Sequence, residues 1–480
     1  MKVQSQRLAV LLRLTPAVVA CLAAANPRPP QVNAATPDSQ VERIRRIETG
    51  FAPLTLTKDA PPLPLDLYKL MELYRVPGLS VAVIDNYKIV WTKSYGVTES
   101  GGTTPVTTKT LFQAGSISKP VAATGALCLV EQGRLSLDDD VNKKLNTWKV
   151  PENEFTKEQK VTLRRLMTHS AGLTVHGFPG YATDEPIPTL LQIFNGEKPA
   201  NTAPIRVDFV PGTKTRYSGG GITIEQQLMI DVTHKPFPDL LRETVLDKIG
   251  MSDSTYEQPL PPARAALAAS GTYASGKVVH GKRHIYPEMA AAGLWTTPTD
   301  LAKFAIEIAL SKQGKSNRAL SQTMTREMLK PQRENVGLGF FLGDEKNSDQ
   351  FGHNGADEGF QAILLMFADS GQGVAVMANS DNGIAVGDEL VASIAREYGW
   401  KFAAPQRNAG NVLLLIANAA GTPAALERYS ELKKTTSDPK ELNEGTLNRL
   451  GYTLLQSDKT DDAILVFLRN VKEYPQSSNV

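Results

Sequence analysis

The sequence has few cysteines, no excess of charge of either sign and no apolar run of membrane-spanning length. Its 480 residues include two cysteines, Cys21 and Cys128, too few for a disulfide framework or a structural zinc site. Lysine plus arginine total 52 against 50 for aspartate plus glutamate, so the net charge of +2 gives no support for a nucleic-acid partner. The chain is 41% hydrophobic and 21% charged, which are ordinary globular values and exclude a wholly disordered chain.

The first 25 residues are typical of a signal peptide. Three basic residues, Lys2, Arg7 and Arg13, precede an apolar stretch at residues 14–25, which is shorter than the roughly 20 residues of a spanning helix. Two forms of processing stay open. The alanines at 23–25 offer a cleavage site, and residues 18–21 resemble a bacterial lipobox, in which case Cys21 carries a lipid anchor. Either predicts an exported protein, whether periplasmic, extracellular or membrane-tethered as a lipoprotein.

Apolar periodicity predicts an α+β fold. Two β-hairpins are predicted, one at residues 79–91 and one at 361–377, each with a polar or glycine-rich turn between apolar runs. The segments between them, including 120–132, 162–168, 222–232 and 299–310, have helical periodicity. Strands at both ends with helices between them predict one antiparallel sheet completed by distant parts of the chain.

The character of the chain changes after Trp400. Residues 405–410 read as a linker, and residues 411–480 are predicted to be helical, with a helix pair at 441–455 and 461–474. Gly451, Tyr452, Ala463 and Phe467 occupy positions where a tetratricopeptide repeat places packing residues. Two interpretations stay open: an incomplete repeat that packs on the rest of the protein, or a helical tail with no partner.

The segment Gly115-Ser116-Ile117-Ser118-Lys119, followed by a helical pattern, is the first candidate for chemistry. Lys119 lies one helical turn from Ser116 on the same face, so an amine of reduced pKa there can take the serine proton. A single Ser-x-x-Lys has little specificity, and an ordinary helix start explains it equally well.

Two further segments add to this candidate. Arg216-Tyr217-Ser218-Gly219-Gly220-Gly221 places a tyrosine before a glycine run, and Phe351-Gly352-His353-Asn354-Gly355-Ala356 precedes a predicted strand. Taken singly, they fit a glycine-rich turn and a buried histidine. In this order the three segments resemble the class C β-lactamase-like branch of the penicillin-recognising serine hydrolases, which includes carboxylesterases and D-amino-acid peptidases. Further matches lie at residues 163–173, 211–213, 292–301 and 337–340, and the resemblance covers about residues 40–400.

The resemblance implies a fold and a set of roles. The fold is an antiparallel sheet flanked by helices plus a mostly helical lobe. Ser116 aligns with the nucleophile that is acylated, and Lys119 and Tyr217 align with the pair that moves its proton, either of which could be the base. The backbone N–H groups of Ser116 and Ala356 would form the oxyanion hole. No metal and no organic cofactor is implied.

Three further cleft residues follow from the resemblance. His353 stands where many relatives have a lysine, and it is expected to change charge within the working pH range. Gly355 is expected to let a substrate lie against the strand. Gly219 replaces the asparagine of a Tyr-x-Asn motif, whose amide grips the acylamide arm of β-lactams, and the glycine run is expected to leave that side of the cleft open.

The sequence therefore predicts an exported serine hydrolase that forms an acyl-enzyme on Ser116. Small-molecule or peptide acyl substrates are expected, with a carboxylesterase or D-amino-acid peptidase favoured over an efficient β-lactamase. The alternative is a catalytically silent relative that binds a protein partner through its C-terminal helices. Other enzyme classes lack support, because neither Gly-x-Ser-x-Gly nor a phosphate-binding glycine motif opens a helix.

Overall fold

The computed structural model describes residues 39–57, 61–401, 407–435 and 442–477. The predicted signal peptide at residues 1–25, with Cys21, lies outside the described residues. Among the described helices, none is both long and apolar enough to cross a membrane.

Within the described residues, ten strands form one six-stranded antiparallel sheet and two small two-stranded sheets. In chain order they are β1 (Gly78–Asp85), β2 (Lys88–Gly96), β3 (Phe112–Gln113), β4 (Tyr181–Ala182), β5 (His284–Ile285), β6 (Trp295–Thr296), β7 (Phe341–Leu342), β8 (Gln350–Asp357), β9 (Phe360–Phe367) and β10 (Gln372–Ala378). The large sheet has the order β2-β1-β10-β9-β8-β7, so the first strand pairs with the last. β3 pairs with β6 and β4 with β5.

The helices lie between the two halves of the large sheet and at both ends of the chain. They are α1 (Gln40–Thr49), α2 (Leu67–Tyr74), α3 (Ser118–Glu131), α4 (Glu154–Glu158), α5 (Leu163–Met167), α6 (Leu190–Asn195), α7 (Gly219–Thr233), α8 (Phe237–Leu241), α9 (Asp247–Ile249), α10 (Pro262–Ala265), α11 (Met289–Ala292), α12 (Pro298–Lys312), α13 (Gln322–Met328), α14 (Gly383–Tyr398), α15 (Ala409–Ala420), α16 (Thr422–Thr435), α17 (Glu444–Gln456) and α18 (Thr460–Glu473).

The large sheet is covered on both faces, which explains why β9 and β10 are apolar along almost their whole length. Alternate residues of β1 face opposite layers: Ala82 and Ile84 join the core that contains α3, α7 and α12, whereas Val81 and Val83 join the core that contains α2 and α14. Alternation along a strand produces this division, since successive side chains point to opposite faces. The predicted α+β fold, with an antiparallel sheet flanked by helices, is confirmed.

The C-terminal helices pack on the rest of the protein. α15 contacts α2, and apolar residues of all four C-terminal helices belong to the same buried cluster as the outer face of the large sheet. Asn418 of α15 donates a hydrogen bond to the backbone oxygen of Leu73 at 2.9 Å. The sequence indicated only one helix pair here, whereas two are present, α15 with α16 and α17 with α18. The two pairs bury one another's apolar faces. The interpretation of this segment as a helical tail with no partner is therefore wrong.

Truncating Leu413 should show that α15 is part of the folded core. Leu413 is fully buried in that cluster, so Leu413→Ala is expected to lower the free energy of unfolding by about 2–5 kcal/mol. Leu465→Ala is the control, because 45% of Leu465 is exposed and little apolar contact is lost. Urea denaturation followed by circular dichroism measures both. Equal midpoints for Leu413→Ala and wild type would contradict the packing described.

Candidate active site

Ser116 lies in a short turn that leads directly into a buried helix. The turn is the 3₁₀ segment Gly115–Ile117, and α3 begins at Ser118, so Ser116 precedes the helix that carries Lys119. Twelve of the fourteen residues of α3 are buried. The helix therefore holds Lys119 inside the protein, while half-buried Ser116 borders a cleft.

Two of the predicted catalytic side chains converge on the side-chain oxygen of the third, Ser116. Lys119 Nζ and Tyr217 Oη each lie 2.8 Å from Ser116 Oγ. Lys119 Nζ also donates to the backbone oxygen of Ala291 in α11, at 2.7 Å, and lies 4.9 Å from the centre of the Tyr217 ring. These contacts place both polar groups at hydrogen-bonding distance from the serine, as general base catalysis requires.

A buried histidine fixes the loop that carries Tyr217. His169 Nδ1 accepts a hydrogen bond from the N–H of Ser218 at 3.3 Å, and its backbone oxygen accepts one from the N–H of Arg216 at 2.8 Å. The His169 ring also packs on the Tyr217 ring, with centroids 4.3 Å apart. His169 therefore positions the tyrosine through both of its neighbours in the chain, Arg216 and Ser218.

Burial controls the charge of the two proton-transfer groups. Desolvation lowers the pKa of Lys119 to about 7, against the weaker opposing effect of the Asp357 carboxyl. Desolvation also raises the pKa of Tyr217 to about 12, although the hydrogen bond to Ser116 favours the ionised form. Near neutral pH the lysine is therefore a partly deprotonated amine and the tyrosine a neutral phenol. Of the two, the lysine has the free electron pair.

His353 lies in the wall of the site but does not carry the predicted charge. Its ring is 6% exposed and stands 6.2 Å from the ring of Tyr217 and 5.0 Å from that of Phe341. Burial, with a smaller contribution from Lys119, lowers the pKa of His353 to about 3. The ring is therefore neutral throughout the working pH range, and the expectation that it titrates there is corrected.

Gly355 allows close packing between β8 and the turn that carries Ser116. A β-carbon on Gly355 would lie 1.8 Å from the backbone oxygen of Ala114 and 3.3 Å from the nitrogen of Ser116. The missing side chain lets β8 approach the turn that carries the nucleophile. Gly355 also borders the cavity beside Ser116, and the expectation that a substrate lies against this strand stays a prediction. The same approach places the backbone nitrogen of Ala356 beside this turn, since a β-carbon on Gly115 would lie 2.4 Å from it.

Gly219 does not border the cleft cavity, contrary to the prediction. It is the first residue of α7 and is buried, and its N–H donates to the backbone oxygen of His176 at 2.9 Å. A β-carbon there would lie 3.0 Å from Phe178 Cε2 and 3.1 Å from the oxygen of His176. The loop at residues 174–178 therefore fills the space that a longer side chain at 219 would occupy. The side of the cleft next to Gly219, which was predicted to be open, is therefore closed.

The cavity beside Ser116 has a volume of about 730 Å³ and is largely apolar. Sequence reasoning missed two of its wall residues, His176 and Phe341. The His176 ring packs on Tyr217 with centroids 4.9 Å apart, and Phe341 is 41% exposed next to the same tyrosine. His176 lies in an irregular segment and Phe341 in the two-residue strand β7, and no local pattern in the sequence indicates where their side chains go.

Comparison with known proteins places the chain in a family. A sequence model described as beta-lactamase matches residues 67–397, which span the large sheet, Ser116 and Tyr217. The chain belongs to the β-lactamase family. It is 31% identical over 237 residues to a β-lactamase of Pseudomonas fluorescens, which covers 49% of this chain and 60% of that protein. It is 30% identical over 269 residues to a β-lactamase of Lysobacter lactamgenus, covering 53% and 61%. The chain thus spans about three fifths of the length of these two relatives.

Two more distant similarities widen the comparison. An unguisins hydrolase of Aspergillus violaceofuscus is 24% identical over 385 residues, covering 69% of this chain and 63% of that protein. The solved octameric penicillin-binding protein homologue of Pyrococcus abyssi is 23% identical, with a TM-score of 0.56, and covers 69% of this chain and 76% of that one. This structure shares the fold.

Proposed function

We propose that the protein is a serine hydrolase that forms an acyl-enzyme on Ser116 and cleaves esters or amides of small acyl substrates. One observation carries the proposal. Ser116 Oγ lies 2.8 Å from both a buried amine and a phenol, at the edge of an apolar cavity. A nucleophile next to a base of matched pKa is the arrangement that activates serine.

Acylation follows from the charges of the three groups. Neutral Lys119 accepts the proton of Ser116 as Oγ attacks the carbonyl carbon of the substrate, and the carbonyl π pair moves to the oxygen. The N–H groups of Ser116 and Ala356 would stabilise that oxyanion. When the tetrahedral intermediate collapses, the bond to the leaving group breaks and the leaving group takes a proton from the Lys119 ammonium. Tyr217 donates its hydrogen bond to Ser116 Oγ and relays the proton.

Deacylation repeats the same steps with water. Lys119, again a neutral amine, takes a proton from a water molecule as that water attacks the acyl carbon. Collapse then breaks the bond between the carbon and Ser116 Oγ, and the serine recovers its proton from the lysine. No other reactant is needed, so the residues already described account for the full cycle.

The residues around Ser116 indicate which substrate class fits the site. Two relatives are named β-lactamases, yet this chain has Gly219 where an amide would hold a β-lactam side chain, and Phe178 occupies the adjacent space. The mainly apolar cavity suits a short acyl or aryl group. We therefore favour a carboxylesterase or D-amino-acid peptidase, exported to the periplasm or cell surface through the signal at residues 1–25.

A catalytically silent binding protein is the second candidate, and one observation favours it. Several large apolar side chains of α17 and α18 are exposed, namely Tyr452, Leu455, Ile464, Leu465, Leu468 and Val471. Such a surface suits a protein partner. Labelling with a fluorophosphonate probe separates the two candidates. Attachment to Ser116, located by mass spectrometry, is expected for the hydrolase, and folded protein that stays unlabelled would support the binding protein.

The pH dependence of turnover should identify the general base. Because Lys119 must be deprotonated to accept the serine proton and its pKa is about 7, activity is expected to fall as the pH drops through that value. Tyr217 has a pKa of about 12, so its ionisation causes no change in activity below pH 10. The measurement is kcat/KM for an uncharged aryl ester between pH 5 and 9.5.

The control for this profile is His353→Asn. The His353 pKa of about 3 puts its titration outside the measured range, so the variant should keep the midpoint near pH 7 whatever its absolute rate. A midpoint that disappears in His353→Asn would assign the titration to the histidine and contradict the role given to Lys119.

A further inference from the structure

The cavity beside Ser116 extends beyond the catalytic side chains, across β8 to the side of α14. β7 pairs only with Phe351 and Gly352, so within the described part of the chain the edge of β8 at residues 353–356 has no strand partner. The cavity passes over this open edge and is bordered on its far side by α14. A substrate bound at Ser116 therefore has space that reaches the outer face of the large sheet.

The far part of the cavity, here called the α14 compartment, is bordered by Ile363 and Leu365 of β9 and by Ile384, Asp388 and Val391 of α14. The three residues of α14 are spaced by four and by three, so one side of the helix faces the compartment. Ile363, Leu365 and Val391 also belong to the buried apolar cluster on the outer face of the large sheet. Because all but one of these side chains are apolar, the compartment suits an apolar group.

Asp388 supplies the only acidic side chain among the described residues that border the cavity, and no lysine or arginine borders it. Burial raises the pKa of Asp388 to about 6, with a smaller contribution from Glu389, so the carboxyl is ionised at pH 8. In the part of the chain that the structure describes, no side chain forms a hydrogen bond or an ion pair with it. An anionic group of a ligand would meet a like charge here and no balancing cation, which disfavours its binding.

The positions of the oxyanion hole and of Tyr217 determine which end of a substrate faces the α14 compartment. The predicted oxyanion hole at Ala356 holds the carbonyl oxygen, and the leaving group is protonated on the side of Tyr217. The Tyr217 ring lies 6.3 Å from that of Phe341 and 6.2 Å from that of His353, and both border the cavity on the way to α14. Gly352, which pairs with Phe341, lies four residues before Ala356, about 13 Å along β8. The leaving group, and not the acyl group, therefore points into the compartment.

We propose that the α14 compartment binds an uncharged, apolar leaving group, and that Asp388 excludes leaving groups that carry a carboxylate. The inference rests on the proposed hydrolase function and adds the substrate class, esters of bulky apolar alcohols or phenols. A carboxypeptidase releases an amino acid, whose carboxylate belongs to the leaving group. The ring nitrogen of a penicillin likewise leaves the carbonyl with a carboxylate attached to the next carbon. Both reactions would bring that carboxylate toward Asp388, so the compartment favours the carboxylesterase among the proposed activities.

Two esters that differ only at the far end of the leaving group test the proposal, biphenyl-4-yl butyrate and its 4′-carboxy derivative. At pH 8, Asp388→Asn should raise the ratio of kcat/KM for the carboxylate to that for the neutral ester at least about fivefold, because one of two like charges is removed. Glu397→Gln is the matched control, since it removes the same charge from the same helix without bordering the cavity. A ratio that is unchanged in Asp388→Asn, or raised equally in Glu397→Gln, would overturn the proposal. If the wild type hydrolyses neither ester, the proposed hydrolase function is what fails.

A second pair of variants tests the space beside α14. Ile384 is half-buried, and Ile384→Trp should fill the compartment and lower the ratio of kcat/KM for biphenyl-4-yl butyrate to that for phenyl butyrate at least about tenfold. Arg396→Trp is the control, because Arg396 is exposed on the same helix and does not border the cavity. Equal ratios in the two variants would contradict a leaving-group site at α14. If Ile384→Trp instead lowers the ratio of phenyl octanoate to phenyl butyrate, the acyl group occupies the compartment and the orientation is wrong.

Discussion

Replacing Ser116 with alanine is expected to abolish covalent labelling and to leave no more than a trace of ester hydrolysis. The serine oxygen is the atom on which Lys119 and Tyr217 converge at 2.8 Å. Without it the acyl-enzyme cannot form, so the loss should reach several orders of magnitude in kcat. Stopped-flow measurement of the acylation burst, with intact-mass detection of the acyl adduct, checks the expectation.

The two proton-transfer residues should behave differently from the nucleophile. Lys119→Ala and Tyr217→Phe are each expected to lower kcat by about 10²–10⁴, the usual contribution of a positioned acid or base. Lys119→Ala combined with Tyr217→Phe should cost less than the product of the two single losses, because the residues act on one proton. Lys109→Ala is the control, since Lys109 pairs with Asp253 on the surface. Turnover above a trace in folded Ser116→Ala would refute the assignment of Ser116 as the nucleophile.

The sheet and the nucleophile segment were predictable because local patterns determine them. The apolar runs around residues 86–87 and 368–371 encode two antiparallel hairpins, and both are present with the expected turns. The three-residue spacing of Ser116 and Lys119 places them on one helical face, which the 2.8 Å contact reflects. Tyr217 is different: it is 101 residues from Ser116, and only the family resemblance brought them together.

The rest of the site depends on tertiary packing that no local pattern records. Burial among distant segments sets the pKa of His353, so the ordinary value assumed from the sequence was misleading there. For Lys119, burial lowers the pKa in the direction expected of a serine-activating amine. From the sequence, Gly355 and Gly219 were both expected to leave room for a substrate. In the folded protein the first admits the backbone of Ala114 and the second the ring of Phe178. A glycine in a sequence indicates that another group approaches the backbone closely, but it does not identify that group.

Short-chain aryl esters are expected to be hydrolysed at least a hundredfold faster than nitrocefin or benzylpenicillin. A β-lactam needs its acylamide arm held so that the ring carbonyl faces Ser116, and Gly219 supplies no donor for that arm. One lost hydrogen bond costs about 0.5–1.5 kcal/mol, and misplacing the scissile bond by about 1 Å can cost about a hundredfold in rate. An aryl ester has no such arm. Parallel kcat/KM measurements on purified protein give the ratio directly.

Restoring the donor requires space as well as an amide. Because a β-carbon at 219 would lie 3.0 Å from Phe178 Cε2, Gly219→Asn alone is expected to disturb the loop and lower all activities. Combining Gly219→Asn with Phe178→Ala removes that contact, and this variant should raise nitrocefin turnover relative to ester turnover. Phe178→Ala alone is the matched control, since it opens the same space without adding the amide. If Phe178→Ala raises the ratio as much as the combined variant, then exclusion by the aromatic ring, and not the missing amide, determines the preference. Wild-type protein that hydrolyses benzylpenicillin faster than any ester would contradict both explanations.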